Sequence, residues 1–476
     1  MQVSEQDIRT QMQKIWGYPD FRPPQGEIVR SLLQQQDTLI VLPTGAGKSI
    51  CFQLPALLQQ GVTIVLSPLV ALMENQVQEL RVQNLAAATL HSELPSHHQR
   101  QTIELLKAQK LRLLYLSPET LLSDRVWSIL IQPQIQINGL ILDEAHCLVQ
   151  WGETFRPAYR RLGAVRPALL AHKPAGTKIP IAAFTATADP TAQKVITETL
   201  QLDRPHKFLI NPHRPDLHLS LQTVWTPRGR QQKLKQFIDR FPQAAGLVYV
   251  RTRRDAEELA ALLTQTGSKT AAYHAGLGAQ QRRKVEQQWL TDELQFVVCT
   301  CAFGMGINKP DVRWIAHYQT PLLLSEYVQE VGRAGRDGQP AAAMMLVCEP
   351  TGWLYPDDKQ RQAFFWSQLA QLDLQAQQLA KKIPITGNLA DLKQQFPQAE
   401  ISLAIWQSQG QLTWQTPFTF QRHPGKLTSR DRSAYQQMLE YVKNKSCRWQ
   451  YLLNSFGFTD QGASWRCGHC DRCLLS

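Results

Sequence analysis

The 476-residue sequence lacks the features of a membrane or exported protein. Its most apolar region, residues 54–73, is broken by Gln59, Gln60, Gly61 and Pro68, so no apolar run of about 18 residues is present. The N-terminal segment MQVSEQDIRTQMQ is polar and shows no signal-peptide pattern. Internal repeats and long low-complexity tracts are also missing. We therefore expect a soluble intracellular protein without membrane contact, located in the cytoplasm and, if it is bacterial, associated with the nucleoid.

Acidic residues are fewer than basic ones. Asp and Glu total 39, whereas Lys and Arg total 51, which gives a net charge of +12. This excess favours a polyanionic partner, although a solvated basic surface without any partner would give the same count. The length is sufficient for about three domains.

Cysteine is sparse along most of the chain but concentrated at its end. Five of the nine cysteines are scattered among apolar residues, as buried thiols are. The other four follow the spacing C-x19-C-x2-C-x2-C and are Cys447, Cys467, Cys470 and Cys473. Close CxxC pairs with a distant partner at a predicted helix start suit a closed tetrahedral site for structural Zn²⁺. A disulfide pair is the alternative, and His469 could replace one ligand.

A glycine-rich segment, LPTGAGKS at residues 42–49, follows an apolar run and resembles a strand-to-helix phosphate loop. It matches a loose form of the pattern, because Leu42 stands where the strict form has glycine. In such a loop the glycines admit phosphates, Lys48 reaches the outer phosphates and the Ser49 hydroxyl ligates Mg²⁺. The segment predicts ATP binding by Thr44, Gly45, Ala46, Gly47, Lys48 and Ser49.

An acidic pair follows a second apolar run. In DEAHC, residues 143–147, Asp143 would hold Mg²⁺ and Glu144 would orient and deprotonate the attacking water. An exposed acidic turn before a helix is the alternative interpretation.

Short apolar segments alternate with longer amphipathic ones in two parts of the chain, separated by the proline-containing segment NPHRPD at residues 211–216. This alternation predicts an α/β fold with two parallel sheets covered by helices. From about residue 357 the chain becomes a glutamine-rich helical region. Two short helices and a hairpin, between residues 389 and 420, there resemble a small winged-helix unit. The predicted domains are 1–210, 211–352, 353–430 and 431–476.

The segment EYVQEVGRAGRDG places Gln329, Arg333 and Arg336 at i, i+4 and i+7, on one helix face if the helix extends that far. Two arginines directed to one place can stabilise a developing phosphoryl charge. Arginines on the second lobe would complete the ATP site only when both lobes meet, which couples hydrolysis to movement. A solvated helix end is the alternative.

Aromatic and basic residues alternate in CLVQWGETFRPAYRRL, which includes Trp151, Phe155 and Arg156. Such residues can stack on bases and bridge phosphates, although packing of the aromatics in a core is an equal alternative. Nearby, FTATA places Thr185 and Thr187 at a strand end, where hydroxyl groups could relay between sites.

Taken together, these segments resemble the RecQ branch of superfamily 2 DNA helicases. The motifs, in family order, are WGYPDFRPPQ, LPTGAGKS, SPLVALMENQV, DEAHC, QWGETFRP, FTATA, YHAGL, FGMGINKPDVR and QEVGRAGRDG, followed by CRWQYLLNSFG and CGHCDRC. The similarity covers nearly everything outside residues 357–430.

The resemblance implies two RecA-like lobes and 3′-to-5′ movement along single-stranded DNA, with a role in repair, recombination or fork maintenance. It also implies that Tyr18, Arg22 and Gln25 contact adenine, and that the segment from Trp151 to Arg156 senses DNA. Arg333 and Arg336 would contact the γ-phosphate, with Arg336 as the principal finger. Expected partners are single-stranded and forked DNA, with a single-stranded-DNA-binding protein as a candidate, and we expect a monomer.

Three departures from the family stand out. Glu153 occupies the aromatic segment where the family usually has histidine, so an anion replaces a group that can carry positive charge. The sequence continues for three residues after Cys473, so we expect neither the family's winged helix after the zinc region nor its HRDC domain. The third departure is the winged-helix-like segment upstream of the zinc region. We hypothesise that this segment engages the duplex in place of the family's winged helix. Deletion of residues 388–420 should then lower the affinity for a forked duplex, and an unchanged affinity would contradict the hypothesis.

Three alternative functions remain at this stage. An RNA helicase is favoured by DEAH alone but opposed by the zinc tail and the aromatic segment. A non-hydrolysing DNA-binding or strand-annealing module is opposed by Lys48, Asp143, Glu144 and Arg336. A duplex translocase that does not separate strands fits the sequence equally well.

Overall fold

The computed structural model describes residues 4–303, 309–428, 430–459, 462 and 464–474, so residues 304–308 of the FGMGINKPDVR segment lie outside it. Contacts between Cα atoms divide the chain into two units. Unit 1 comprises Met1–Leu42, Ala46–Ile210 and Gln368–Ser429, and unit 2 comprises Pro43–Gly45, Asn211–Ser367 and Arg430–Ser476.

A seven-stranded parallel sheet forms the centre of unit 1, with the order β3-β4-β2-β5-β6-β1-β7. The first six strands are wholly buried, as expected for parallel strands with helices on both faces, whereas β7 is an exposed edge. The strands are β1 (Thr38–Val41), β2 (Val62–Leu66), β3 (Ala87–Leu90), β4 (Leu113–Leu116), β5 (Ile137–Leu142), β6 (Ile181–Thr185) and β7 (His206–Leu209).

The helices of unit 1 cover both faces of this sheet. Successive residues of β1 enter different cores, with Leu39 in one and Ile40 in the other, because side chains alternate along a strand. The helices before residue 200 are α1 (Glu5–Trp16), α2 (Gln25–Leu33), α3 (Lys48–Leu58), α4 (Val70–Val82), α5 (Ser96–Lys107), α6 (Pro118–Leu121), α7 (Asp124–Leu130), α8 (His146–Gln150), the 3-10 helix η1 (Pro157–Ala164), α9 (Val165–Leu170) and α10 (Pro190–Thr199).

Unit 2 contains a six-stranded parallel sheet with the order β10-β11-β9-β12-β13-β8. Gly246 admits the Trp314 ring, since a Cβ at Gly246 would lie 2.0 Å from Trp314 Cε2. The elements are β8 (Leu217–Val224), α11 (Pro227–Ile238), β9 (Gly246–Tyr249), α12 (Arg253–Gln265), β10 (Thr270–Tyr273), α13 (Ala279–Leu290), β11 (Phe296–Cys299), β12 (Trp314–His317), α14 (Leu324–Val331) and β13 (Ala341–Cys348). The prediction of two parallel-sheet lobes is confirmed.

The remaining chain is mainly helical, as predicted. The long helix α15 (Asp357–Ala380) precedes β14 (Thr386–Asn388), α16 (Leu389–Gln395), α17 (Ala399–Ser408), β15 (Leu412–Trp414) and β16 (Thr419–Arg422). The three strands form an antiparallel sheet in the order β14-β16-β15. A winged helix has the same order of elements: one helix, one strand, two helices and two strands. We name residues 386–422, which follow α15, the insert.

The insert is counted with unit 1, and its apolar core includes Ala164 of η1. The chain ends in unit 2 with α18 (Ser433–Lys443), α19 (Arg448–Ser455) and α20 (Asp471–Leu474). The four domain boundaries proposed from the sequence stay predictions. Within the described parts of the chain, every helix is too short or too polar to span a bilayer.

Candidate functional site

The predicted phosphate loop connects β1 to α3, which begins at Lys48. Gly45 and Gly47 have φ values of +83° and +74°, a conformation that glycine adopts without steric cost. The amide groups of the first turn of α3 therefore follow directly on the loop, and a helix N-terminus of this kind favours phosphate. Thr44 and Gly45 are counted with unit 2, whereas residues 46–49 are counted with unit 1.

The acidic pair lies at the carboxyl end of β5 in unit 1. Asp143 is buried, and its burial together with Glu144 raises its pKa to about 7, although Lys48 acts in the opposite direction. Gln76 Nε2 donates to Ser49 Oγ at 3.4 Å and also bonds the Asp143 carboxylate. The Ser49 hydroxyl and the Asp143 carboxylate supply oxygen ligands of the kind that Mg²⁺ prefers, so these residues fit the ion.

Gln25 lies directly against the phosphate loop. Its Nε2 donates to Ala46 O at 2.9 Å, and its Oε1 accepts from Arg22 N at 2.9 Å. The side chains of Tyr18 and Arg22 are exposed on the same segment. The segment predicted to contact adenine is therefore next to the phosphate loop, as ATP binding requires.

His146 connects Glu144 with the predicted threonine relay. His146 Nδ1 lies 3.3 Å from Glu144 Oε2 and 3.2 Å from Thr185 Oγ1, and Thr185 Oγ1 also bonds the Thr187 backbone. Glu144 has a φ of +53°, which is uncommon for a residue with a side chain. The backbone therefore holds the Glu144 carboxylate beside this histidine.

The segment Trp151–Arg156, which we name the aromatic loop, continues from α8. The Trp151 ring lies 6.5 Å from the His146 ring and 5.9 Å from the Phe155 ring, both edge-to-face. Phe155 is 71% exposed, so it is available to a ligand. Arg156 Nη1 donates to Pro68 O at 2.5 Å.

Glu153 of the aromatic loop forms an ion pair with Arg160 of η1. Arg160 Nη2 lies 2.6 Å from Glu153 Oε1, and the Arg160 side chain is only 6% exposed. The negative charge that departs from the family pattern is therefore matched by a buried guanidinium group. This pairing was not predicted from the sequence, although both residues lie in the segment that was singled out.

The prediction of one helix face for Gln329, Arg333 and Arg336 is wrong. Helix α14 carries Gln329 but ends at Val331, and Gly335 has a φ of +61°, which a continuing α-helix does not permit. Arg333 is buried beside the Tyr249 hydroxyl, and Arg336 is partly buried. The two arginines therefore lie on the irregular segment after the helix.

The four predicted zinc ligands come together in unit 2. Their sulfur atoms all lie within 4.8 Å of one another, with Cys467–Cys473 at 3.8 Å, Cys470–Cys447 at 3.9 Å and Cys470–Cys473 at 3.5 Å. Zn–S bonds of roughly 2.3 Å in a tetrahedron require sulfur separations of about 3.8 Å. The backbone amides of residues 448, 467 and 469 also donate to these sulfurs. The four cysteines therefore fit Zn²⁺.

The zinc ligands are tied to the sheet of unit 2 through an ion pair. Arg448 Nε lies 3.0 Å from Asp471 Oδ1, and Asp471 Oδ2 accepts from the Leu221 amide at 3.0 Å. A second group with metal-ligating atoms, Cys348 with Asp357 and Asp358, surrounds the Arg230 guanidinium, whose positive charge disfavours a cation there.

Gln76 and His146 belong to this arrangement but were given no role from the sequence. Arg160 lies in the segment whose arginines were interpreted as candidates for bridging phosphates, but the structure pairs it with Glu153. Gln76 and His146 lie inside two of the quoted motifs, SPLVALMENQV and DEAHC, so their position was a signal that could have identified them.

Comparisons with known proteins agree with this geometry. The DEAD/DEAH box helicase family matches residues 22–195, the helicase conserved C-terminal domain matches 229–338, and the RecQ zinc-binding family matches 414–474. The solved structure of S. cerevisiae Dbp5 bound to RNA and ADP BeF3 has a TM-score of 0.59 and 14% identity, covering 76% of this chain and 91% of that one, which shows the likeness of fold.

Two curated relatives are similar over long stretches. The ATP-dependent DNA helicase RecQ of Synechocystis is 52% identical over 99% of both chains. The ATP-dependent DNA helicase RecQ of Haemophilus influenzae is 37% identical over 74% of this chain, which spans 56% of that relative. The chain therefore belongs to the RecQ-type ATP-dependent DNA helicase family.

Proposed function

We propose that this chain hydrolyses ATP to move 3′ to 5′ along single-stranded DNA and to separate duplexes, in DNA repair, recombination or replication-fork maintenance. The observation that carries the proposal is the series of contacts in unit 1 from Glu144 through His146 and Trp151 to the exposed Phe155. It places a candidate DNA-stacking ring two contacts away from the histidine beside the candidate catalytic base.

In this proposal Lys48 binds the outer phosphates of ATP, while Ser49 and Asp143 hold Mg²⁺. Glu144 orients the attacking water and accepts its proton. The ion supplies charge neutralisation to the phosphates when it is bound. Arg333 and Arg336 act on the γ-phosphate, with Arg336 as the principal finger, and Gln329 is a further catalytic residue. Adenine is bound by Tyr18, Arg22 and Gln25, and the phosphates also by the backbone of Thr44, Gly45, Ala46 and Gly47.

Stimulation by DNA follows from the aromatic loop. A base that stacks on Phe155 presses on Trp151, whose ring lies edge-to-face against His146. A small displacement of His146 changes its contact with Glu144, and Thr185 and Thr187 follow because His146 also bonds Thr185. Arg156 lies at the end of the loop and contributes the positive charge that a phosphate requires.

The proposed partners are single-stranded and forked DNA, with a single-stranded-DNA-binding protein as a candidate, and the proposed state is a monomer. The proposed domains are 1–210, 211–352, 353–430 and 431–476. The same proposal places the protein in the cytoplasm and, if it is bacterial, at the nucleoid.

The experiment is strand displacement on duplexes with a 3′ or a 5′ single-stranded tail, with ATP hydrolysis recorded in parallel. We expect displacement on the 3′-tailed duplex only, and hydrolysis that depends on DNA. Hydrolysis without displacement on either substrate would instead indicate a duplex translocase. Stronger stimulation by RNA than by DNA would contradict the assigned substrate.

A further inference from the structure

The helix that corresponds to a recognition helix in the insert is not available for DNA. In helix-turn-helix domains the second helix of the pair enters the major groove, and in the insert this helix is α17. Its sequence, AEISLAIWQS, contains no Lys or Arg, the residues that neutralise phosphate charge. Six of its residues are buried, three are partly buried, and Ser408 is the one exposed residue of the helix.

Helix α17 instead contacts η1 of the same unit. Arg161 Nη2 lies 2.8 Å from Glu400 Oε1, and these side chains are 9% and 14% exposed. Arg161 Nη1 also donates to Pro417 O at 3.1 Å, and its guanidinium lies 5.9 Å from the centre of the Trp414 ring. A buried arginine with three kinds of partner on the insert holds a single arrangement.

Apolar contacts extend the same interface. Phe418, in the hairpin of the insert, lies edge-to-face 5.3 Å from Trp127 of α7. Ala164, at the end of η1, is buried in the apolar core of the insert together with Leu403 and Trp406. The core of the insert is therefore completed by η1 itself.

Adjacent arginines of η1 face two different partners. Arg161 bonds Glu400 of the insert, whereas Arg160 bonds Glu153 of the aromatic loop at 2.6 Å. The loop lies tightly against Arg160, because a Cβ at Gly152 would be 3.1 Å from Arg160 Nε and 2.3 Å from Leu148 O. A shift of η1 would therefore move the Arg160 contact that holds the loop.

We propose that the insert positions the aromatic loop through η1, with Glu400 as a positioning residue for DNA-stimulated ATP hydrolysis. This inference rests on the proposed function, because it concerns how the same loop responds to DNA. The role differs from duplex recognition, since the surface that would read DNA is covered by the protein itself.

The test compares Glu400→Gln with Lys393→Met in the full-length protein. Both residues belong to the insert, and Lys393 Nζ lies 3.0 Å from Glu400 Oε2, but only Glu400 also contacts η1. We expect Glu400→Gln to lower the ratio of DNA-stimulated to basal ATP hydrolysis by about fivefold or more, with basal kcat and the KM for ATP unchanged. Lys393→Met should keep the wild-type ratio.

Hydrogen exchange of the peptide that covers residues 151–156 gives a readout that does not depend on activity. The amides of Thr154, Phe155 and Arg156 donate to Trp151 O, so a loosened loop exchanges them faster. We expect faster exchange there in Glu400→Gln but not in Lys393→Met. Phe418→Ala weakens only the apolar part of the interface. It should also lower the ratio of DNA-stimulated to basal hydrolysis and speed exchange of residues 151–156, and it replaces Glu400→Gln as the test variant if Glu400→Gln does not fold.

The outcomes separate this inference from the proposed function. If the wild-type protein shows no stimulation by DNA, the proposed function fails. If the wild type is stimulated but Glu400→Gln and Phe418→Ala keep both the ratio and the exchange rates, the positioning role fails and the proposed function stands. An equal loss of basal and stimulated turnover in Glu400→Gln would also overturn the positioning role.

Discussion

His317 Nε2 lies 2.8 Å from Glu330 Oε2 in the interior of unit 2, and Arg251 Nη2 lies 3.0 Å from the same carboxylate oxygen. The His317 ring also packs against Tyr249 at 5.4 Å and Tyr327 at 5.1 Å. Glu330 belongs to α14 and His317 to β12, so this buried group of charges connects the strand with the helix that precedes Arg333 and Arg336.

This contact predicts a dependence of stability on pH. Burial lowers the pKa of His317 from its ordinary value of 6.5, although Glu330 acts to raise it. The unfolded chain therefore binds this proton more readily, and the folded protein loses stability as the pH falls below 6.5. We predict that His317→Gln, which keeps a donor for Glu330, removes up to about 1.4 kcal/mol of this loss per pH unit.

Calorimetric unfolding at pH values on either side of the ordinary histidine pKa measures the effect. Glu330 does not interfere in that interval, because Arg251 and His317 outweigh its burial and lower its pKa below 4.5. Equal pH dependence in the variant and the wild type would show that His317 does not contribute.

Substitution of Lys48 or Glu144 should abolish DNA-stimulated ATP hydrolysis and leave the fold intact. In the proposed mechanism each of these side chains acts in the transition state, where removal of one stabilising group costs roughly a hundredfold to a thousandfold in kcat. We predict this loss for Lys48→Ala and Glu144→Gln, with unchanged circular dichroism. Lys194→Ala, at an exposed position of α10, is the control and should retain activity. Turnover in either site variant would refute the assigned role.

Removal of one cysteine of the cluster should release zinc and destabilise the C-terminal part of unit 2. Zinc binding contributes on the order of 10–16 kcal/mol to small domains of this kind. We predict less than one zinc ion per chain in Cys470→Ser, measured by elemental analysis, together with a lower unfolding temperature. Cys301→Ser changes a cysteine outside the cluster and should keep the metal. Full zinc content in Cys470→Ser would exclude a four-cysteine site.

The sequence predicted the parallel sheets because most of their strands are continuous apolar runs buried on both faces. Strand β3, with the residues AATL, is too weakly apolar to be recognised, and the exposed edge strand β7 carries no apolar run. Strand β8 alternates buried and partly exposed residues next to the predicted linker, which concealed it. Pairing with neighbouring strands, rather than local sequence, made these segments strands.

The phosphate loop, the acidic pair and the four cysteines were recognisable because their ligand atoms are close in sequence or have a characteristic spacing. Long-range pairs have no such signal. The contact between Arg161 and Glu400 joins residues 239 positions apart by their numbering, and nothing in either local sequence specifies the partner. The spacing of Gln329, Arg333 and Arg336 suited one face of a longer helix, but α14 ends at Val331 and is followed by two glycines, so the condition of that prediction is not met.

The ion pair of Glu153 with Arg160 decides the sign of the last prediction. The family usually has histidine at this position. A histidine there would restore a group that can carry positive charge near DNA, which by itself would raise the stimulation of ATP hydrolysis by DNA. In this chain, however, Glu153→His removes the carboxylate that lies 2.6 Å from a guanidinium that is 6% exposed, so a buried arginine loses a close opposite charge. We predict that the loop loses its position.

The expected result is a decrease of about fivefold or more in the ratio of DNA-stimulated to basal ATP hydrolysis for Glu153→His, with basal turnover little changed. Glu153→Gln keeps the shape and one acceptor oxygen for Arg160, so it should retain more of the stimulation. An unchanged ratio in Glu153→His would contradict the sensing role of the loop. A higher ratio of stimulated to basal hydrolysis in Glu153→His would mean that a positive charge near DNA matters more than the ion pair with Arg160. The lost ion pair can only lower the ratio, whereas the positive charge can raise it.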